Sequence, residues 1–334
     1  MTYPHALHDA VMALIGHAPE HIEPGKITRF PTSPRRRDDA GWLFLFEDRQ
    51  GASFGDYRTG AAGHWSERDR RLMTPGEQAA FAAQVALAKA ERDKAQAGRW
   101  ARNLPRIKAL WQQGQKLVPG DPVTLYLKRR GLGGMWPLPA CLRYHPALPY
   151  WDDGEVIGTF PAMLAKFRGA DGRCVALHQT YLNRDGRKAD VPSPKKVSPA
   201  AGLLMGGCIP LADPFERVLG VAEGIETALC AGAASALPVV ATYSAGCMGG
   251  YQWPQGVGRL VVFADNDVSG TGQAAARKLE ARARAAGLAV SVLVPKTPGE
   301  DWADVYARRD LATVEAVADS LERARYDDQE GGAA

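Results

Sequence analysis

Cysteine is sparse and scattered. The chain has 334 residues and five cysteines, Cys141, Cys174, Cys208, Cys230 and Cys247, no two within four residues of each other. That spacing argues against a zinc ribbon and a disulfide scaffold, so no zinc is expected, and it fits a reducing cytoplasm. Long apolar runs are missing too. Nothing approaches the roughly 20 residues that a membrane span needs, and no membrane partner is expected. The opening stretch "MTYPHALHDAVMALIG" lacks the basic start and apolar core of a secretory signal. There is no internal repeat, and no G-x-x-x-x-G-K-[ST] phosphate loop.

What is present is an ordinary globular composition, 46% hydrophobic and 23% charged, with ample material for a core. The net charge of +4 is unevenly spread. Lys89 to Arg130 carries eleven Lys or Arg against three acids, and Lys166 to Lys196 carries eight against three. Glu300 to Glu330 reverses the balance, with ten acids against four arginines. A chain basic in its middle and acidic at its end suits a polyanion partner held away from the tail; a solvated helix face is the plainer reading of residues 89–116.

Patterning divides the chain into five segments. Residues 1–72 carry short aromatic runs and turns, "GWLFLFEDRQGASFGDYRTG", and read as a small β-rich module with Trp42, Phe44, Phe46 and Phe54 in its core. Residues 73–118 read as a basic helical segment, opened by a Thr cap and an early Glu. Residues 119–213 mix short strands with the turns "DDGE", "ADGR" and "RDGR", an α+β texture. In 214–315 greasy strands alternate with helices: "RVLGVA", "LPVVATY", "RLVVFAD" and "AVSVLVP" are the strands. Such continuous apolar strands imply a parallel sheet covered by helices on both faces. Residues 316–334 form a helix end and an acidic tail.

In an open α/β sheet, ligands bind beyond the carboxyl ends of the strands. Glu223 follows the first strand, Asp265 ends the third with Asp267 two residues on, and Asp301 and Asp304 follow the fourth. Each acid alone has an ordinary explanation. Glu223 could favour a helix start, and Asp-x-Asp often caps a loop. Five acids on one rim repel one another unless a cation sits among them, and Mg²⁺ or Mn²⁺ is the natural candidate. Gly224 would let the backbone turn tightly after the acid.

The pattern "AEGIETAL" and "FADND" resembles the Toprim domain, shared by DnaG-type primases, topoisomerases and some nucleases. Upstream, "PVTLYLKRRGL", "GTFPAMLAKFRGADGRCVALHQTYLNRDG" and "PKKVSPAAGLLMG" resemble, in order, segments of the bacterial primase catalytic core, and "GEDWADV" resembles its later acidic motif. The resemblance runs over residues 120–310. It departs at two places: the given sequence has no paired cysteines of the kind a primase zinc ribbon uses, and the acid usual four residues after the first Glu is Thr227, with Glu226 one residue earlier.

The resemblance implies an α/β fold: a Toprim-like parallel sheet flanked by helices, an α+β primase-core subdomain before it and the small β-rich module ahead of both. It implies a nucleotidyltransferase that makes short primers on single-stranded DNA from nucleoside triphosphates. The layout is most similar to primases of mobile elements, with a replicative helicase or another replication protein as a possible partner. Asp265 and Asp267 would bind metal, Glu223 would ligate or act as base, and Asp301 and Asp304 would be secondary ligands. Lys195 and Lys196 would meet nucleotide phosphates. Lys166, Arg168, Arg184 and Lys188 would line the template path, and Arg129 and Arg130 would touch template or cover a junction. His178 and Tyr181 read as core-lining residues. Two rivals share these residues, a Toprim nuclease and a non-catalytic single-stranded DNA binder.

Overall fold

The computed structural model describes residues 3–34, 38–56, 59, 61–135, 137–267 and 270–308; the expected C-terminal segment 316–334 lies outside the described residues. Compactness divides the chain into two units, residues 1–99 with 151–157, and residues 100–150 with 158–334.

The first unit opens with a helix that the β-rich reading did not foresee, α1 (His5–Ile15). Leu7 and Val11, one turn apart, form its buried stripe, and Gly16 ends it in the left-handed conformation, φ 79°. Four strands follow as an antiparallel meander: β1 (Ile27–Phe30), β2 (Gly41–Leu45), β3 (Gly51–Asp56) and β4 (Ala62–Ser66). Alternation along β2 sends Leu43 and Leu45 to the face covered by Leu7 and Val11, where Phe54 joins them. Phe44 and Phe46 pack on the other face against Phe81 and Ala88 of the long helix α2 (Pro75–Gln113). The four aromatics expected to share one core therefore serve two sheet faces. Thr74 and Glu77 start α2 as a reciprocal cap: Glu77 N–H donates to Thr74 Oγ1 at 3.3 Å, and Thr74 N–H donates to Glu77 Oε2 at 2.8 Å.

The second unit joins two sheets. After α3 (Pro122–Leu127), capped by Asp121, comes an antiparallel sheet in the order β5 (Leu142–Asp152), β6 (Glu155–Arg168), β7 (Cys174–Tyr181), β8 (Lys195–Val197). A parallel sheet then alternates with helices: β9 (Val218–Ala222), α4 (Ile225–Ser235), β10 (Val239–Ala241), α5 (Ala245–Gly250), β11 (Arg259–Phe263), α6 (Thr271–Ala285), β12 (Ala289–Leu293) and α7 (Trp302–Arg308). Its strand order is β10-β9-β11-β12. Both faces are buried, as continuous apolar strands require. Leu219, Val221, Leu260 and Val262 face Met248, Ala276 and Leu279 on one side. Ala222, Val261 and Phe263 face Ile225, Leu229 and Trp302 on the other.

Residues 119–213 and 214–315 share that second core. Val123, Tyr126, Met163, Ala165 and Phe167 pack in one cluster with Ile225, Phe263 and Trp302. The expected line between residues 213 and 214 is thus not a gap in packing.

The loop after β7 is fixed to α3 by Gly186. Its φ is +74°, and a Cβ there would stand 2.6 Å from the backbone nitrogen of Tyr126. Gly172 has a similar φ, +76°, in open space. Gly186→Ala is expected to lower stability by about 2–4 kcal/mol, against about 1 kcal/mol for Gly172→Ala, in urea unfolding of the full chain. Equal losses at the two sites would show that the loop does not depend on this close approach.

Candidate active site

The parallel register pairs Ala222 with Phe263, so Glu223 and the loop of Asp265 leave neighbouring strands on the same edge. That loop is held from several sides. Trp302 Nε1 donates to the Ala264 carbonyl at 3.2 Å, Asn266 Nδ2 donates to the Pro295 carbonyl at 2.9 Å, and Asn266 N–H donates to the Glu300 carbonyl at 3.0 Å. These bonds bring residues 295–302 against the Asp265 loop. Asp267 Oδ2 accepts the Gly272 N–H at 3.0 Å, where α6 begins.

Asp265 shows how little the rim is neutralised. Its Oδ1 is buried without a hydrogen-bond partner. Burial and the charges of Asp301, Glu223 and Asp267 push its carboxyl up to about 7, against a smaller opposing pull from Lys195. Burial, then Asp267, also raise Glu223, although the Ala245 backbone donates to it. Asp301 Oδ1 accepts the backbone N–H groups of Ala303 and Asp304, capping α7, and Asp304 Oδ2 accepts the Asp301 N–H in return at 3.1 Å. Asp301 keeps within electrostatic reach of Asp265; Asp304 is exposed.

A second carboxylate, three residues after Glu223, lies in the opposite situation. Glu226 is buried in the first turn of α4. Tyr126 donates its phenol to Glu226 Oε1 at 2.5 Å, and Lys195 donates its ammonium to Oε2 at 2.8 Å. Burial alone would raise this carboxyl, but the Lys195 charge and the two hydrogen bonds outweigh it and hold the group down at about 2. The site joins α3, β8 and α4. Sequence reasoning noted Glu226 only as a displaced acid and missed Tyr126. The available signal was the lone charge in "IETALCAGAAS", a helix otherwise too apolar to face water, so its acid must find a buried partner.

Residues 218–310 match the model of the Toprim domain. These residues form a Toprim domain. Residues 101–209 match a domain of unknown function, DUF7146, and no curated protein matches the chain. Among solved structures, a DNA primase domain from Pseudomonas aeruginosa is 16% identical, with a TM-score of 0.43 over 64% of this chain and 77% of that one. The DnaG primase catalytic domain bound to ssDNA is 14% identical, with a TM-score of 0.46 over 68% and 82%. The Aquifex aeolicus primase, with zinc binding and RNA polymerase domains, is 14% identical, with a TM-score of 0.42 over 97% and 87%.

Around the Toprim acids the expected cations separate. Alternation in the antiparallel sheet puts Lys195, Thr180 and Met163 on the face toward α4, and Lys196, Gln179 and Leu164 on the other. Lys196 Nζ lies 3.8 Å from the centre of the Tyr150 ring, and Lys166 Nζ lies 4.4 Å from that of Trp111, both on the outer face. Arg168, one alternation beyond Lys166, is exposed at the end of β6. Arg129 donates to the Asp185 carbonyl at 3.0 Å and so fastens the Gly186 loop. Arg184 is exposed, within electrostatic reach of Tyr144. Lys188 and Arg130 do join the Toprim edge. Lys188 is lowered by desolvation and by Lys195, and both residues are within reach of Glu226 and Asp301. Among the described residues, Lys195, Lys188 and Arg130 are the expected cations that gather there.

Three smaller expectations are revised or extended. Gly224 has φ −91°, which any residue adopts, so it makes no tight left-handed turn; what it provides is room, since a Cβ would stand 3.3 Å from Thr227 Oγ1. Tyr181 is buried among Tyr150 and Phe160, with its hydroxyl bonded to the Pro149 carbonyl and to Gln179. His178 is buried but faces the Toprim domain, its ring 5.5 Å from that of Tyr243, a residue at φ +74°.

The acid rim has the donor chemistry of a hard divalent cation: carboxylate oxygens, one of them buried and unpartnered. Among the described residues no three His, Cys, Asp or Glu side chains stand close enough together to grip an ion as they are placed.

Glu226 has 6% of its side chain exposed and Lys195 has 36%. Lys195→Met strands a buried carboxylate and is expected to cost about 3–5 kcal/mol, whereas Glu226→Gln leaves an ammonium that water can reach and should cost about 1–2 kcal/mol. Urea unfolding at pH 7 compares them, and an equal loss would contradict the asymmetry. Burial holds the His178 imidazole down at about 4. Unfolded histidine binds its proton near pH 6.5, so the unfolded chain takes up more protons between about pH 6.5 and 4, and stability falls as pH drops through that window. The loss attributable to His178 is about 3 kcal/mol, and His178→Leu should show a shallower decline from pH 7 to 5. An unchanged slope in the variant would assign the acid sensitivity elsewhere.

Proposed function

We propose that the protein is a primase-type nucleotidyltransferase, joining nucleotides on a single-stranded DNA template with a divalent metal ion. The observation that carries this reading is the buried Asp265 Oδ1, without a hydrogen-bond partner among the described residues, in a carboxyl group that burial and the charges of Asp301, Glu223 and Asp267 raise. The Toprim match and the order of the upstream motifs support the same reading.

In such a reaction a 3′-hydroxyl attacks the α-phosphate of an incoming triphosphate, and pyrophosphate leaves. Negative charge moves onto phosphoryl oxygens, so the protein contributes mainly position and positive charge. A bound Mg²⁺ or Mn²⁺ would neutralise Asp265 and Asp267 and hold phosphate oxygens. Glu223 would accept the hydroxyl proton, a task for which burial and the Asp267 charge suit it by raising its proton affinity. Lys195, Lys188 and Arg130 would meet the phosphates from the other side. The outer-face cations Lys166, Arg168 and Lys196 would contact the template backbone.

The test supplies single-stranded DNA, labelled ribonucleotides or deoxyribonucleotides, and Mg²⁺ or Mn²⁺. Oligonucleotide products are the expected outcome. Cleaved DNA would favour the nuclease, and DNA retention with neither product would favour the passive binder. Asp265→Ala should lower turnover about 100-fold or more while leaving DNA retention near that of the unaltered chain. Mn²⁺ should raise the Tm of the parent protein, and Asp265→Ala should remove that rise. Full activity in the variant would end the assignment.

A further inference from the structure

Glu226 accepts a hydrogen bond on each of its two oxygens. Its Oε1 is held by the Tyr126 phenol at 2.5 Å and its Oε2 by the Lys195 ammonium at 2.8 Å, and it is buried. Lys195 differs: an ammonium has three donors, one goes to Glu226, and over a third of the side chain reaches solvent. The charge of Lys195 also reaches Glu223 and Asp265 on the Toprim edge. A lysine stem has four rotatable bonds and loses much of its freedom when it is fixed on a ligand. Here the loss has been met in the fold itself, because a buried carboxylate with a clamped far oxygen keeps the ammonium in one place.

We propose that Glu226 is a positioning residue, which, clamped by Tyr126, presets the Lys195 ammonium beside the acid rim to receive the phosphates of a nucleoside triphosphate. The inference rests on the proposed nucleotidyl transfer and assigns within it a residue that would not itself touch substrate. Two glutamates on one turn thereby divide the work, Glu223 facing the reacting atoms and Glu226 facing a cation. The ion pair does not exchange during binding, since Glu226 would be left buried and unpaired if Lys195 departed. The triphosphate joins the pair by taking the ammonium's remaining donors.

The experiment is a double-mutant cycle on the full chain, with ATP and Mg²⁺ as the probe and equilibrium binding as the readout. Glu226→Gln should weaken ATP binding about tenfold, and Tyr126→Phe, which removes only the clamp, by about threefold. Lys195→Met should abolish the same share of affinity, and adding Glu226→Gln to Lys195→Met should then change the Kd by less than about twofold, because the effect passes through Lys195. Lys195→Arg should retain more affinity than Lys195→Met, which simple loss of packing would not produce. If Glu226→Gln leaves the Kd unchanged, or weakens binding equally with and without Lys195, the positioning role is overturned. Should Lys195→Met not fold, Tyr126→Phe decides alone: an unaltered Kd overturns the proposal. Failure of the parent protein both to bind ATP and to extend DNA would sink the nucleotidyl-transfer reading along with it. A parent that binds and extends, with Glu226→Gln equal to it, would sink only the positioning role.

Discussion

A carboxylate without water must be given positive charge and hydrogen bonds by the chain, and the second unit is organised around that requirement at Glu226. Glu226 sits in a helix whose neighbours Ile225, Ala228 and Leu229 are all buried, so it cannot turn outward. The fold answers by bringing Tyr126 from α3 and Lys195 from β8 to its two oxygens. Segments 100 residues apart in one case and 31 in the other are thereby fixed to the start of α4. The apolar cluster around them, from Val123 to Trp302, supplies most of the burial energy, but apolar packing alone is tolerant of small displacements. The pair of charge-assisted bonds is not, and it sets where the antiparallel sheet meets the parallel one.

The same turn shows what happens to an acid that is not answered. Glu223 and Asp265 have one backbone donor and no donor to Oδ1, respectively, and their proton affinities rise. Glu226, one turn away and more deeply buried, goes the other way. Burial raises all three; at Glu223 and Asp265 the neighbouring acids add to that rise, and at Glu226 the Lys195 charge and two hydrogen bonds outweigh it. A rim of acids left poorly compensated, next to one that is fully compensated, is how a protein keeps negative charge available at a chosen place without weakening the helix beside it.

Much of this was legible in the chain. The four greasy strands of the parallel sheet and the position of Glu223 and Asp265 after two of them could be read, because strands buried on both faces leave a continuous apolar signature; the spatial order of the strands could not. The helix 75–113 was legible from its cap. Helix α1 was hidden, because only Leu7 and Val11 of its eleven residues are buried and the aromatic runs that follow dominate the texture. The basic residues were the least legible. "PKKVSP" offers two adjacent lysines with nothing in the letters to tell them apart, yet strand alternation sends Lys195 to the Toprim edge and Lys196 to Tyr150 on the far side. Which parity faces which sheet is decided by the docking of distant segments, and Tyr126 owes its role to the same docking.

The triangle of Tyr126, Lys195 and Glu226 also limits how such a chain can diverge. A neutral residue at 226 would release a cation, and a neutral residue at 195 would strand an anion, so the second change is tolerated only after or together with the first. Descendants that abandon the arrangement should therefore lose both charges in a set order, the acid before the base. Recombination between residues 126 and 226 would succeed only when the incoming piece brings a matching set, which makes this stretch a unit of inheritance larger than the Toprim domain itself.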